Sequence, residues 1–212
     1  MDQYFGTYEK FLTVSKKEAA ELLGADNLVG DRFEIEIEIE DSSHKAWLRN
    51  RFGKRIGYFE EGFSRKLSIL RAQGLTLTAL LSFVAFTDLP EPGFYWGQMA
   101  VIGYNPNYSD TFEKFINNVA DRLCDGVRPR INFETEAVQS ILDSDGNWLP
   151  SQTVPLPEKK KGTAIVKSRR SVSEKLIEQG RKGNKGCYVI SWAFIILVIA
   201  ALVFGLKSCG LF

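Results

Sequence analysis

Residues 32–52 read RFEIEIEIEDSSHKAWLRNRF. In the first part Phe33, Ile35, Ile37 and Ile39 alternate strictly with Glu34, Glu36, Glu38 and Glu40, the period of a strand with one apolar and one solvated face. Asp41–Ser43 offers a turn, and HKAWLRNRF (44–52) returns with Lys45, Arg49 and Arg51 on one face. The two segments predict an antiparallel hairpin in which those cations oppose the glutamates across the strands. Four carboxylates in a row also invite a metal reading. Same-face neighbours on a strand, however, stand about 6.6–7 Å apart, too far to share one small ion. No metal and no cofactor is expected.

Moving outward, Gly53 turns the chain into a third strand, KRIGYF (54–59). The following EEGFSRKLSILRAQG (60–74) spaces Phe63, Leu67 and Leu70 for one helical face and ends on Gly74. Two apolar strands, LTLTALLSFVAFTD (75–88) and FYWGQMAVIGY (94–104), form a hairpin through Leu89-Pro90-Glu91-Pro92-Gly93. A second helix over 109–126 gathers Phe112, Phe115, Ile116, Val119 and Leu123 on one side. Upstream, TYEKFLTVS (7–15) reads as a strand and KKEAAELLG (16–24) as a short helix, while 131–143 reads as a peripheral helix. The expected class is α+β: a small, mainly antiparallel sheet, open or curled towards a barrel, with two principal helices packed on it, all within residues 1–145.

The remaining chain has a different character. Residues 1–150 hold 16 Lys/Arg against 23 Asp/Glu, and residues 151–212 hold 11 against 3. Residues 146–186, with Pro150, Pro155, Pro157 and the Lys159–Lys161 run, read as a flexible basic linker containing one short helix at 171–179. From Cys187 to Leu206 the chain is CYVISWAFIILVIAALVFGL, twenty residues without a charge. At about 1.5 Å rise per residue such a helix covers the roughly 30 Å hydrocarbon core, so a single C-terminal transmembrane helix is expected over 187–206, with a short tail at 207–212. Arg169, Arg170, Lys175, Arg181, Lys182 and Lys185 precede it and Lys207 alone follows, which places the N-terminal side in the cytoplasm by the positive-inside rule. A tail-anchored, single-pass protein is the expectation, with the lipid bilayer and a cytoplasmic protein as partners. Cys124, Cys187 and Cys209 have neither zinc-ligand spacing nor a disulfide framework.

Residues 30–125 carry a resemblance. The order strand, strand, glycine turn, strand ending in Ile-Gly-Tyr, helix, two strands, helix resembles the HIRAN domain, a small barrel-like module of helicase-associated and stand-alone bacterial proteins. Lys45-Ala46-Trp47 and Gly53-Lys54-Arg55-Ile56-Gly57-Tyr58-Phe59 are the segments similar to that family's motifs. The resemblance implies binding of a single-stranded DNA 3′ end, with Tyr58 available for stacking; separately, Lys54, Arg55 and Arg65 can form a local basic patch where the third strand meets the helix. The sequence departs from the pattern where Ser43 and Lys45 stand in place of the motif's Asp and Asn, and where Glu60 and Glu61 follow the Ile-Gly-Tyr strand. Lys66 and Arg71 extend the same basic group.

Net charge argues against nucleic acid, because phosphate neutralisation supplies most of that affinity and residues 1–150 are acidic overall. Catalysis is not expected either. The single histidine, His44, sits beside Asp41, Ser42 and Ser43, but neighbours in sequence do not make an aligned triad with an oxyanion hole. No phosphate loop or dinucleotide fingerprint occurs. The leading expectation is a non-enzymatic binding or adaptor domain, with a nucleic-acid module as its rival.

Overall fold

The computed structural model describes residues 4–13, 19–41, 43–181 and 192–199. The described residues fall into two compact units, one ending at Arg170 and one beginning at Ser171.

The first unit is a closed barrel. Its strands are β1 (Tyr4–Leu12), β2 (Arg32–Glu40), β3 (Ser43–Arg49), β4 (Arg55–Phe59), β5 (Thr76–Thr87) and β6 (Phe94–Tyr104), in the order β2-β3-β4-β1-β6-β5. Closure comes from β2 meeting β5 antiparallel at Arg32↔Leu80 and Phe33↔Ala79. This corrects the α+β expectation, which placed two helices on a small sheet: the sheet closes on itself as a six-stranded antiparallel barrel. Alternation drives the closure, since Phe33, Ile35, Leu48, Leu81, Met99 and Val101 all point to one interior and are almost fully buried there.

Phe11 fills the middle of the barrel against glycines on both flanking strands. A Cβ at Gly97 would lie 2.8 Å from the Phe11 ring and 2.2 Å from the Phe83 carbonyl oxygen, and one at Gly57 would lie 2.9 Å from the same ring. The glycine of Ile-Gly-Tyr therefore serves packing.

Two helices close the structure differently. α1 (Glu61–Ala72) follows β4 and sends Leu67 into the barrel interior. Arg71 donates to the Ile35 carbonyl at 2.6 Å, on β2 beyond the residues that pair with β5. α2 (Ser109–Cys124) lies on the outer wall, where Phe112, Phe115, Ile116 and Val119 bury with Leu80, Ala100 and Ile102 in a second apolar layer. α3 (Thr135–Asp143) joins that layer through Val138 and Ile141, so it is less peripheral than its sequence suggests.

The linker expected over 146–186 is structured over much of its length. β7 (Thr163–Lys167) pairs with β5 across Thr87↔Thr163 to Val84↔Lys167. The Lys167 ammonium donates to the carbonyls of Leu23, Gly24 and Asn27 at 3.3, 3.1 and 3.0 Å. A barrel with this strap attached holds 22 Lys/Arg against 24 Asp/Glu through residue 170, nearer neutrality than residues 1–150 suggest.

The second unit contains α4 (Val172–Arg181), opened by a capping box in which Ser171 N–H donates to Glu174 at 2.8 Å and Glu174 N–H donates to the Ser171 hydroxyl at 3.3 Å. The transmembrane helix expected over 187–206 is not supported: among the described residues no helix is long and apolar enough to cross a membrane. Within that stretch the structure describes helical residues 192–199, and the rest of 187–206 lies outside the described residues. The tail-anchored, single-pass arrangement drawn from that helix is likewise not supported by the described residues. Lys182, Lys185 and the rest of 187–212 lie outside the described residues.

Candidate functional site

The outer wall of β2, β3 and β4 carries a connected group of polar and aromatic side chains. Register pairs Glu36 with Trp47 and Glu38 with Lys45 across β2 and β3, and Trp47 with Tyr58 across β3 and β4. Between Leu48↔Gly57 and Arg49↔Arg55 the ladder slips, leaving Ile56 as an extra residue on β4. Strict alternation would send Arg55 and Tyr58 to opposite faces. The bulge turns both outward.

Trp47 and Tyr58 meet edge to face, with ring centroids 5.4 Å apart at 65°. The Lys45 ammonium stands 4.2 Å from both centroids, and the Arg55 guanidinium lies 5.0 Å from that of Trp47. Carboxylates of the neighbouring strand β2 hold this group from the side. The Trp47 indole N–H donates to Glu38 at 2.6 Å, Arg55 pairs with Glu36 at 2.9 Å and also with Glu38, and Arg49 pairs with Glu36 at 3.0 Å. Hydrogen bonds from Arg55 lead in holding the Glu36 carboxyl below its usual range, with the Arg49 charge adding to them. For Glu38 the leading cause is the bond from Trp47, then that from Arg55. Reciprocally, Arg55 is pushed above the ordinary arginine value by its bonds to the two glutamates.

The glutamate ladder thus has different partners from the expected ones. Arg49 takes its place in it, but Arg55 of β4 makes most of the bonds, Lys45 turns to the rings, and Arg51 stands 4.0 Å from Asp31. Among the described residues no three His, Cys, Asp or Glu side chains converge to hold a metal ion.

Of the four proposed ligand contacts, Arg55 and Tyr58 come together around Trp47, whereas Lys54 is engaged with Glu21 and Arg65 is exposed on α1. Trp47 was visible in sequence only as part of a motif. Its role depends on the bulge, which leaves no signature in the residue pattern. The basic collar is also divided: Arg170 is tied to Asp31 on the barrel, Arg169 is exposed, and Lys175 is exposed on α4.

Compared with known proteins, the chain matches no family model, no curated sequence and no solved structure.

Proposed function

We propose that the barrel is a non-enzymatic binding module that recognises a protein partner through the Lys45, Trp47, Arg55 and Tyr58 face of β3 and β4. The observation that carries this reading is the edge-to-face Trp47–Tyr58 pair capped by Lys45 and braced by Glu36 and Glu38. Tryptophan, tyrosine and arginine dominate the binding energy of protein interfaces. Side chains already fixed by ion pairs lose little freedom on docking. The interleaved glutamates suit a partner with its own basic and polar groups.

A second reading follows from the same rings. Aromatic faces with cations nearby are the stacking platforms of single-strand binders, and these residues fall in the HIRAN-like segment. Three features weigh against it: Arg49 and Arg55 are already neutralised by carboxylates, Glu60 and Glu61 follow β4, and the barrel unit carries slightly more acid than base.

One experiment separates the two. A photo-crosslinking residue at position 58 of the full chain should yield protein adducts that disappear in Trp47→Ala. A labelled single-stranded oligonucleotide should bind no more tightly than about 10⁻⁴–10⁻⁶ M at physiological salt. Tight binding that needs a free 3′ end and is lost in Tyr58→Ala would replace the protein-partner reading with the nucleic-acid one. Absence of any adduct would remove this face as an interface.

A further inference from the structure

Three edge-to-face pairs in the described structure contain a tryptophan, and they differ in one respect. Trp47–Tyr58 holds Lys45 and Arg55 over its rings. Phe83–Trp96, with centroids 5.6 Å apart at 80°, holds Lys10 at 5.2 Å from Trp96 and Arg128 at 5.5 Å from Phe83. Phe133–Trp148 has nearly the geometry of the first pair, 5.6 Å and 67° against 5.4 Å and 65°. Among the described residues, however, no lysine or arginine of the chain stands over either of its rings.

This third pair opens into a cleft of about 330 Å³, whose walls also include Pro150, Glu134 and Glu136. Both glutamates are exposed, and among the described residues neither is engaged in an ion pair. Arg130, the one basic residue in the lining, donates to the Gln152 side chain at 2.8 Å. The rings are held in place from behind. Phe133 stacks on Tyr4 at 5.4 Å and meets Phe115 edge-on at 6.0 Å, and the Trp148 backbone N–H donates to the Ser144 hydroxyl at 2.9 Å.

We infer that the Phe133–Trp148 cleft is a binding site for an organic cation of the alkylammonium class, such as a choline-like small molecule or a trimethylated lysine side chain. Ring faces attract a cation through their quadrupole, most strongly where water is partly excluded. An ammonium head is drawn to a ring face, the negative side of the quadrupole, and away from the positive edge, so the two rings, inclined at 67°, define a preferred side of approach. The glutamates supply net negative charge without the geometric demands of a metal site. The volume lies at the small end of ligand pockets, which fits a head group better than a nucleotide. The other two tryptophan pairs each hold cations of the chain itself within reach of a ring: Lys45 and Arg55 at one, Lys10 and Arg128 at the other.

The test follows the Trp148 indole N–H resonance of the ¹⁵N-labelled full chain, assigned by its disappearance in Trp148→Phe. Choline, a peptide carrying trimethyl-lysine, and the neutral isostere 3,3-dimethylbutanol are titrated separately. The expected result is a saturable shift with at least one of the two cations and binding of the neutral isostere at least tenfold weaker. Stronger binding of the peptide than of choline would identify a protein tail as the source, and the reverse a small molecule. The Glu134→Gln, Glu136→Gln double variant, which alters only exposed side chains, should weaken cation binding several-fold and leave the isostere unchanged. Equal binding of cation and isostere, no saturable shift with either cation, or full cation affinity in the double variant would overturn the proposal.

Discussion

Arg170 donates to Asp31 at 2.9 Å from a position where both side chains are nearly out of solvent, joining the end of the strap to the loop that enters β2. Arg170 also donates to the Val29 carbonyl at 2.7 Å, and Asp31 accepts from Leu28 N–H at 2.8 Å. Replacing Arg170 with Met strands a buried carboxylate. Such losses cost about 3–5 kcal/mol where no other cation is near, and Arg51 at 4.0 Å offsets part of this, so a loss of about 2–3 kcal/mol is expected. Urea unfolding measures it. The Asp31→Asn, Arg170→Met double variant should be less destabilised than the sum of its singles; strict additivity would show that the pair is not coupled.

The strap also sets where the domain ends. A chain terminated after Asp145 lacks Trp148, β7, Lys167 and Arg170, and leaves the carbonyls of Leu23, Gly24 and Asn27 without their ammonium donor. It should fail to give a cooperative thermal transition, while a chain terminated after Arg170 should retain one. Equal transitions for both would return the boundary to residue 145.

Acid sensitivity should trace to the glutamate ladder. The carboxyls of Glu36 and Glu38 are depressed in the folded state, so their contribution is present above the unfolded carboxylate value and is lost as pH falls through the depressed folded values. The Glu36→Gln, Glu38→Gln variant should melt lower at neutral pH and lose less on acidification than the parent. High salt should narrow the gap, because these groups are open to solvent. A variant with the parent's acid limb would remove the ladder as its cause.

At the alkaline end the sign reverses. Burial raises the phenols of Tyr4 and Tyr8 above the ordinary value; the Arg128 guanidinium, 4.3 Å from the Tyr8 ring, works the other way on Tyr8. The raised folded values make their contribution fully present below the unfolded phenol range and lost as pH climbs through the folded one. Tyr8→Phe removes the hydrogen bond to the Pro129 carbonyl at a cost of about 1 kcal/mol near neutrality, and should flatten the decline between pH of about 10 and 12. Ultraviolet difference titration of the phenolates checks the assignment: ionisation of Tyr8 in the ordinary range would contradict it.

Some of this was legible in the residue pattern and some was not, for physical reasons. The β2–β3 hairpin was plain because Phe33 to Glu40 alternate without a break, and α1 and α2 because Phe63, Leu67, Phe112, Phe115 and Val119 recur at helical spacing. Closure was hidden, since it rests on two residue pairs, Arg32↔Leu80 and Phe33↔Ala79, whose members lie far apart in the chain with β3, β4 and α1 between them. β7 was hidden by its length and setting: TAIVK is five residues inside a stretch rich in Lys, Pro and Gly, and its pairing with β5 is decided by tertiary contacts. The binding face was half legible. Arg55 and Tyr58 carried the right chemistry, but only the extra residue at Ile56 brings them to one side, and only the register of β3 places Trp47 between them.

Ser64 makes the most local of these predictions, because one hydroxyl serves two backbone groups. Fully buried on α1, it donates to the Phe59 carbonyl at 2.9 Å and accepts from the Ala46 N–H at 2.9 Å. The β3–β4 pairing stops at Trp47↔Tyr58, one step before Ala46 and Phe59, and the Ser64 hydroxyl bridges the Ala46 amide to the Phe59 carbonyl instead. Ser64→Ala removes only one oxygen yet leaves a buried donor and a buried acceptor unmet, which costs about 1–3 kcal/mol. The loss should be local before it is global: amide exchange at Ala46 should accelerate more than that at Leu80 or Ala100 on the far wall. Ser68→Ala on the same helix, at a half-buried position, is the comparison that separates this bond from helix propensity. If Ser64→Ala leaves both the unfolding midpoint and the Ala46 exchange rate where they were, the hydroxyl is not what joins α1 to β3.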